Sequence, residues 1–232
     1  VKAAGELLRE GKLVAIPTET VYGLAANALD PQAVNAIFKA KGRPNDNPLI
    51  VHIADLSALP DVGSVVPEKA RVLMERFWPG PLTMILPKHP SIPTITSGGL
   101  DTVGVRMPSH LVARKLIELS GVPIAAPSAN ISGYPSPTTA QHVMRDMHGK
   151  IAAVVDGGDC CVGVESTVIA LEGEDSVRIL RPGYVTKEML ETVVPHVTLD
   201  KAILHQHQDG QTDRSPGMKY QHNTPHEHDT LN

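Results

Sequence analysis

The chain has 232 residues, 41% hydrophobic and 20% charged, which gives enough apolar material for one large domain or a domain with an appendage. Its formal net charge of -4 excludes nucleic-acid binding by bulk charge, so any polyanion must be met by locally gathered cations. No apolar run approaches the ~20 residues that span a bilayer and no signal peptide is visible, which together read as a cytoplasmic protein with no membrane association.

Aromatic residues make up only 3%, so Val, Ile, Leu, Ala and Met must build the core. Short apolar runs at 13–16, 49–53, 82–86, 103–107, 123–126, 151–155, 167–171 and 177–180 predict strands. Amphipathic stretches at 2–10, 32–40, 68–77, 111–119, 139–147 and 187–193 predict helices. Gly11 and Gly121 stand at helix C-terminal caps, and Pro31, Pro67 and Pro108 near helix starts. Strands interspersed with helices imply a helix-covered sheet, and the strands between 151 and 180 follow one another directly, so the sheet is expected to be mixed rather than strictly parallel. Composition shifts near Asp200: residues 201–232, rich in His, Gln, Asp and Thr, read as a linker or tail after a 1–200 domain. The chain starts at Val1, so a short N-terminal piece is expected to be missing.

Five segments could carry chemistry. Pro17-Thr-Glu-Thr-Val-Tyr-Gly23 follows a strand with hydroxyls and a carboxylate, and reads either as a site rim or as a polar turn; Thr20 can donate and accept. Lys41-Gly-Arg43 opens a dense Pro/Asn/Asp loop reaching Leu49, where Arg43 could grip phosphate oxygens and Lys41 act as a point charge, or where the cations merely favour a helix dipole. His52 sits inside an apolar strand, as a core histidine or a ligand. Arg106 lies on another apolar strand and needs a partner, either a structural carboxylate or a bound anion.

Ser128 and Asn130 alternate in a small-residue loop and so face one side. Gly163-Val-Glu-Ser-Thr-Val168 and Ile179-Leu-Arg-Pro-Gly183 add Ser166 and Arg181, the latter a second phosphate clamp or a rim arginine. Neither a phosphate-binding loop with Gly-Lys-Ser/Thr nor a dinucleotide fingerprint occurs, and the Gly-x-Ser-x-Gly elbow of serine hydrolases is absent. Cys160 and Cys161 are adjacent, which argues against a structural disulfide, and no pattern supports a catalytic thiol. The histidines at 205, 207, 222, 226 and 228 lack a cysteine or carboxylate scaffold, so no metal site is predicted.

In that order, Pro17–Leu24, Lys41–Leu49, Ser128-Ala-Asn130, Gly163–Thr167 and Arg181-Pro-Gly183 resemble the YrdC-like family, and more closely its longer threonylcarbamoyl-AMP synthase members, over residues 12–194. Ser215-Pro-Gly-Met-Lys-Tyr220 with His222 is similar to the linker that folds back over the active site in those long members; Asn223 departs from an aromatic position. A second, Rossmann-like domain normally follows that linker, whereas this chain ends at Asn232.

The resemblance implies a YrdC-like twisted open mixed α/β sheet flanked by helices, with a concave cationic cavity. It assigns Thr20, His52, Arg106 and Ser166 to threonine, with Arg106 on the carboxylate. It assigns Lys41, Arg43, Asn47, Thr102, Ser128, Asn130, Ser136, Arg181 and Tyr220 to ATP, Lys41 and Arg43 being catalytic. The implied reaction joins L-threonine, bicarbonate and ATP-Mg²⁺ into threonylcarbamoyl-AMP and pyrophosphate. Partner proteins would then carry the group to tRNA, and the cationic surface could itself contact tRNA. The alternatives are a carbamoyltransferase domain handling carbamoyl-AMP, and an RNA-binding module whose affinity would fall steeply with salt.

Overall fold

The computed structural model describes residues 1–204, and these form ten strands joined in one open sheet. In chain order the elements are α1 (Lys2–Arg9), β1 (Val14–Ile16), β2 (Gly23–Asn27), α2 (Pro31–Lys41), β3 (Ile50–His52), a 3₁₀ turn (Leu56–Asp61) and α3 (Glu68–Phe77). There follow β4 (Leu82–Pro87), β5 (Thr102–Arg106), α4 (Leu111–Ser120), β6 (Ile124–Ala125), α5 (Ala140–Met147) and β7 (Ala153–Val154). The last are β8 (Thr167–Glu172), β9 (Ser176–Arg181), α6 (Lys187–Glu191), β10 (His196–Leu199) and α7 (Lys201–Leu204).

The strand order is β10-β9-β8-β4-β5-β3-β6-β2-β1-β7. Pairs β10/β9, β8/β4, β5/β3 and β1/β7 are parallel, and the other five are antiparallel. The mixed sheet expected from the irregular element order is therefore present. All the predicted strands and helices form, with ends shifted by a few residues. Two strands escape the sequence pattern. Strand β2 has no β-branched residue, and β10 is short and mostly exposed.

Local signals set the helix ends. Asp30 accepts from the Gln32 amide, Pro31 opens α2, and Gly42 closes it at φ 62°, a left-handed conformation that a side chain would strain. Helix α7 falls inside the stretch whose composition reads as tail. Asp200 caps it through the Ala202 amide (2.9 Å) and pairs with Arg178 (3.5 Å), so ordered structure continues past residue 200.

The alternation of side chains splits the core between the two sheet faces. Leu24, Val51, Met84 and Val105 join Ile37, Phe38 of α2 and Leu73 of α3 in the main cluster. Val14, Ile16, Ala25 and Ile124 meet Leu8 of α1 with Leu116 and Ile117 of α4 in a second. Each fully buried Leu or Ile contributes about 1.5–3 kcal/mol, so these faces hold the sheet rigid. A third, small cluster of Ile50, Val168, Ala170 and Leu180 lies further along the sheet. Ile50 of this cluster and Ala126 of the second both line one cleft.

Candidate functional site

The turn after β1 is built by its own hydroxyls. Thr18 Oγ1 donates to the Val21 carbonyl (2.6 Å) and shares a hydrogen bond with Thr20 Oγ1 (2.9 Å). Arg106, at the end of β5, reaches this turn: Nη1 donates to Thr20 Oγ1 (2.9 Å), Nη2 to Glu19 Oε1 (2.5 Å) and Nε to the Gly80 carbonyl (3.3 Å). The structural carboxylate that the sequence left open is thus Glu19, and three of the five guanidinium N–H groups are engaged. Burial tends to raise the Glu19 pKa, but the Arg106 charge and hydrogen bonds outweigh it and hold the carboxyl below its ordinary value. Glu19 Oε2 is buried without a hydrogen-bond partner.

His52 lies directly beside Arg106 because β3 and β5 pair in that register. Burial and the neighbouring Arg106 charge push its pKa down to about 3, so the imidazole is neutral at physiological pH. Its Nδ1 has no hydrogen-bond partner.

The second wall is built from loops. Lys41, the last residue of α2, is fully buried, and its ammonium donates to the carbonyls of Ser128 and Asn130 (2.7 Å to the latter) and to Asn130 Oδ1 (3.5 Å). Burial and nearby Arg43 pull its pKa down to about 7. Lys41 therefore braces the 128–130 loop through three acceptors, matching the three donors of an ammonium. Asn130 completes the brace, since its Nδ2 donates to the carbonyls of Ile131 (2.9 Å) and Tyr134 (2.7 Å). Arg43 lines the cleft with Ser128, its guanidinium 6.0 Å from the Phe38 ring centroid. Asn47 is buried with neither amide atom hydrogen-bonded.

Arg181 closes the far side. The pairing of β8 with β9 slips from Val168–Arg181 to Ile169–Ile179, leaving Leu180 unopposed, and such a bulge re-aims the side chain beside it. Arg181 Nε and Nη2 donate to the Ser166 carbonyl (3.1 and 3.0 Å), Nη2 also to Ser166 Oγ (3.1 Å), and Nη1 pairs with Glu165 (3.3 Å). Ser166 Oγ also bonds Thr83 Oγ1 (2.8 Å), and Ser136 donates to Glu165 Oε1 (2.8 Å). Gly183 makes this possible: a Cβ there would stand 2.5 Å from the Glu165 carbonyl oxygen and 2.6 Å from the Thr167 nitrogen. That close approach accounts for the glycine of Arg-Pro-Gly.

Arg43, His52, Arg106, Ser128, Ser166 and Arg181 thus line a single cleft, open to solvent, with Thr20 and Ser136 bonded to its walls. Thr102 does not join them, for it sits at the opposite end of β5 from Arg106, about 13 Å away at the usual strand rise. Tyr220 and the 215–222 linker lie outside the described residues. Sequence reasoning passed over Glu19 and Glu165, although both stand inside quoted motifs; their signal was a carboxylate within motifs that otherwise supply hydroxyls. Both cysteines are free, and burial raises the Cys160 thiol to about 11, which keeps it protonated at neutral pH.

Three guanidiniums, Arg43, Arg106 and Arg181, line the cleft beside a neutral His52, with Arg106 paired to Glu19 and Arg181 to Glu165. Among the described residues no group of three His, Cys, Asp or Glu could hold a metal ion, and no helix is long and apolar enough to cross a membrane. Such walls suit a small molecule bearing anionic groups, bound by paired and hydrogen-bonding contacts.

An open mixed α/β sheet thus brings arginines and serines from its strand ends and adjoining loops into one cleft. The chain belongs to the Sua5/YciO/YrdC family, whose model, described as "Telomere recombination", matches residues 6–183. It is 55% identical over 225 residues to the threonylcarbamoyl-AMP synthase of Pyrococcus abyssi, covering 97% of this chain and 65% of that protein. The threonylcarbamoyl-AMP synthase of Bacillus subtilis is 54% identical over 227 residues, with 97% and 64% covered. The crystal structure of P. abyssi Sua5 complexed with L-threonine superposes with a TM-score of 0.92 at 54% identity, over 97% of this chain and 65% of that one. The chain therefore spans less than two thirds of the length of these relatives.

Proposed function

We propose that this chain carries the activity of an L-threonylcarbamoyladenylate synthase, a nucleotidyltransferase that forms threonylcarbamoyl-AMP and pyrophosphate from L-threonine, bicarbonate and ATP. The observation that carries this reading is the convergence of Arg106 and His52 with Arg43, Ser128 and Arg181 on one cleft. The similarity to two threonylcarbamoyl-AMP synthases over 97% of the chain supports it, as does the likeness to a relative solved with L-threonine.

In this reading Thr20, His52, Arg106 and Ser166 receive threonine. Arg106 keeps two N–H groups beyond those given to Thr20, Glu19 and Gly80, donors for the threonine carboxylate. Neutral His52 can accept or donate without adding charge. Arg43, Asn47, Ser128, Ser136 and Arg181 receive ATP, with Lys41 and Asn130 holding the 128–130 loop in shape. The threonine amine captures carbon dioxide derived from bicarbonate; the resulting N-carboxylate attacks the α-phosphorus, the bond to the bridging oxygen breaks, and pyrophosphate departs with that electron pair. The protein supplies alignment and cationic stabilisation rather than a covalent nucleophile. Mg²⁺ would enter with ATP as part of the substrate, neutralising part of the triphosphate charge. The product would pass to tRNA-modifying partner proteins in the cytoplasm.

Pyrophosphate release tests this directly. It should require ATP, L-threonine and bicarbonate, and stop when any one is omitted. Release without threonine but dependent on carbamoyl phosphate would replace the reading with a carbamoyl-adenylate chemistry.

A further inference from the structure

We infer that Glu165 is a positioning residue of the nucleotide wall: one carboxylate that spans Ser136 and Arg181 and so fixes both against the 165–166 segment. The inference rests on the proposed reading, in which Ser136 and Arg181 both touch ATP. Glu165 belongs to none of the residues assigned there to a substrate.

The geometry separates Glu165 from an ordinary surface ion pair. Its two oxygens divide between two partners on different segments, Oε1 accepting from Ser136 Oγ at 2.8 Å and Oε2 pairing with Arg181 Nη1 at 3.3 Å. Both ion-pair side chains are mostly buried, at 14% and 11% exposure, so solvent screening is weak. The carboxylate lines the cleft rather than its back. The neighbouring Ser166 takes the rest of the Arg181 guanidinium through its carbonyl and hydroxyl. Meanwhile the absence of a Cβ at Gly183 lets 181–183 pass close to 165–167, where a side chain would meet the Glu165 carbonyl and the Thr167 nitrogen. Three segments, 128–139, 163–167 and 181–183, are thus tied at one carboxylate, and the first two lie almost wholly outside regular secondary structure. A guanidinium that must meet a phosphate loses less freedom on binding when a carboxylate already restricts it.

The measurement is a double-mutant cycle on the full chain with Glu165→Ala, Arg181→Ala and the pair, reading ATP binding by calorimetry and the KM values for ATP and threonine. Glu165→Ala should weaken ATP about tenfold, the size of one lost coupling between contacting residues, while the threonine KM stays within about twofold. In the Arg181→Ala background the same change should cost clearly less, leaving only the part carried through Ser136, and Glu165→Asp should restore part of the loss. An equal penalty in both backgrounds, or ATP and threonine KM values rising together, would overturn the positioning role while the parent still turned over. A parent that neither binds ATP nor releases pyrophosphate would instead bring down the functional reading, and this inference with it.

Discussion

The two walls of the cleft are built differently. The Arg106 wall stands largely on regular structure: His52 and Arg106 are register partners on β3 and β5, and Glu19 with Thr20 sits in the tight turn between β1 and β2. The Arg181 wall stands mostly on loops gathered around the bulged end of β9, and its precision comes from cross-braces: Lys41 on the carbonyls of 128 and 130, Asn130 on those of 131 and 134, Glu165 on Ser136 and Arg181. A strand-borne residue inherits its position from the ladder. A loop-borne one has to be tied, and the ties are themselves buried polar groups whose removal is costly.

The difference predicts unequal responses to substitution. Arg106→Ala should be the most damaging, abolishing threonine-dependent turnover and lowering unfolding free energy by about 3–5 kcal/mol, because Glu19 would remain buried without its partner. Chemical denaturation checks this, and Glu19→Gln on top of Arg106→Ala should recover part of the loss. Gly183→Ala comes next. Its Cβ meets backbone, not a movable side chain, so it should cost about 1–3 kcal/mol in stability and misplace Arg181. Thermal melts and the KM for ATP would read both effects.

Acid sensitivity separates the walls further. His52 has its folded pKa depressed to about 3 from 6.5, so its contribution to stability is complete above pH 6.5 and is lost as pH falls below it. Glu19 behaves likewise below its ordinary value of 4.5. His52→Gln should therefore flatten the fall in stability between pH 6.5 and about 3, measured as Tm against pH. The smallest effect is expected at Thr102. If the cleft geometry governs, Thr102→Ala should leave the ATP KM within about twofold, since the residue stands a strand's length from Arg106. A large rise would place the nucleotide well beyond the cleft described here.

How much of this was legible in the sequence follows the same division. Helices α1 to α6 and eight of the strands were readable because apolar periodicity and capping residues agree. Strand β2 was not, because Gly-Leu-Ala-Ala-Asn packs between β6 and β1 on small side chains and so lacks the β-branched signature. Strand β10 and helix α7 are short and held by pairing to β9 and by Asp200, contacts that composition cannot reveal. Arg106 was recognisable as a strand-borne cation needing a partner, yet the sequence does not say that it takes Glu19, nor that Lys41 is buried and turns to backbone carbonyls. Chain-distant braces, such as Glu165 to Ser136, exist only once the fold brings them together.

A structure of the protein with L-threonine and a non-hydrolysable ATP analogue tests the central claim most directly. The account predicts the threonine carboxylate on Arg106, with the α-phosphate between Arg43 and Arg181 in the same cleft. A nucleotide bound elsewhere, with no phosphate near Arg43 or Arg181, would contradict it.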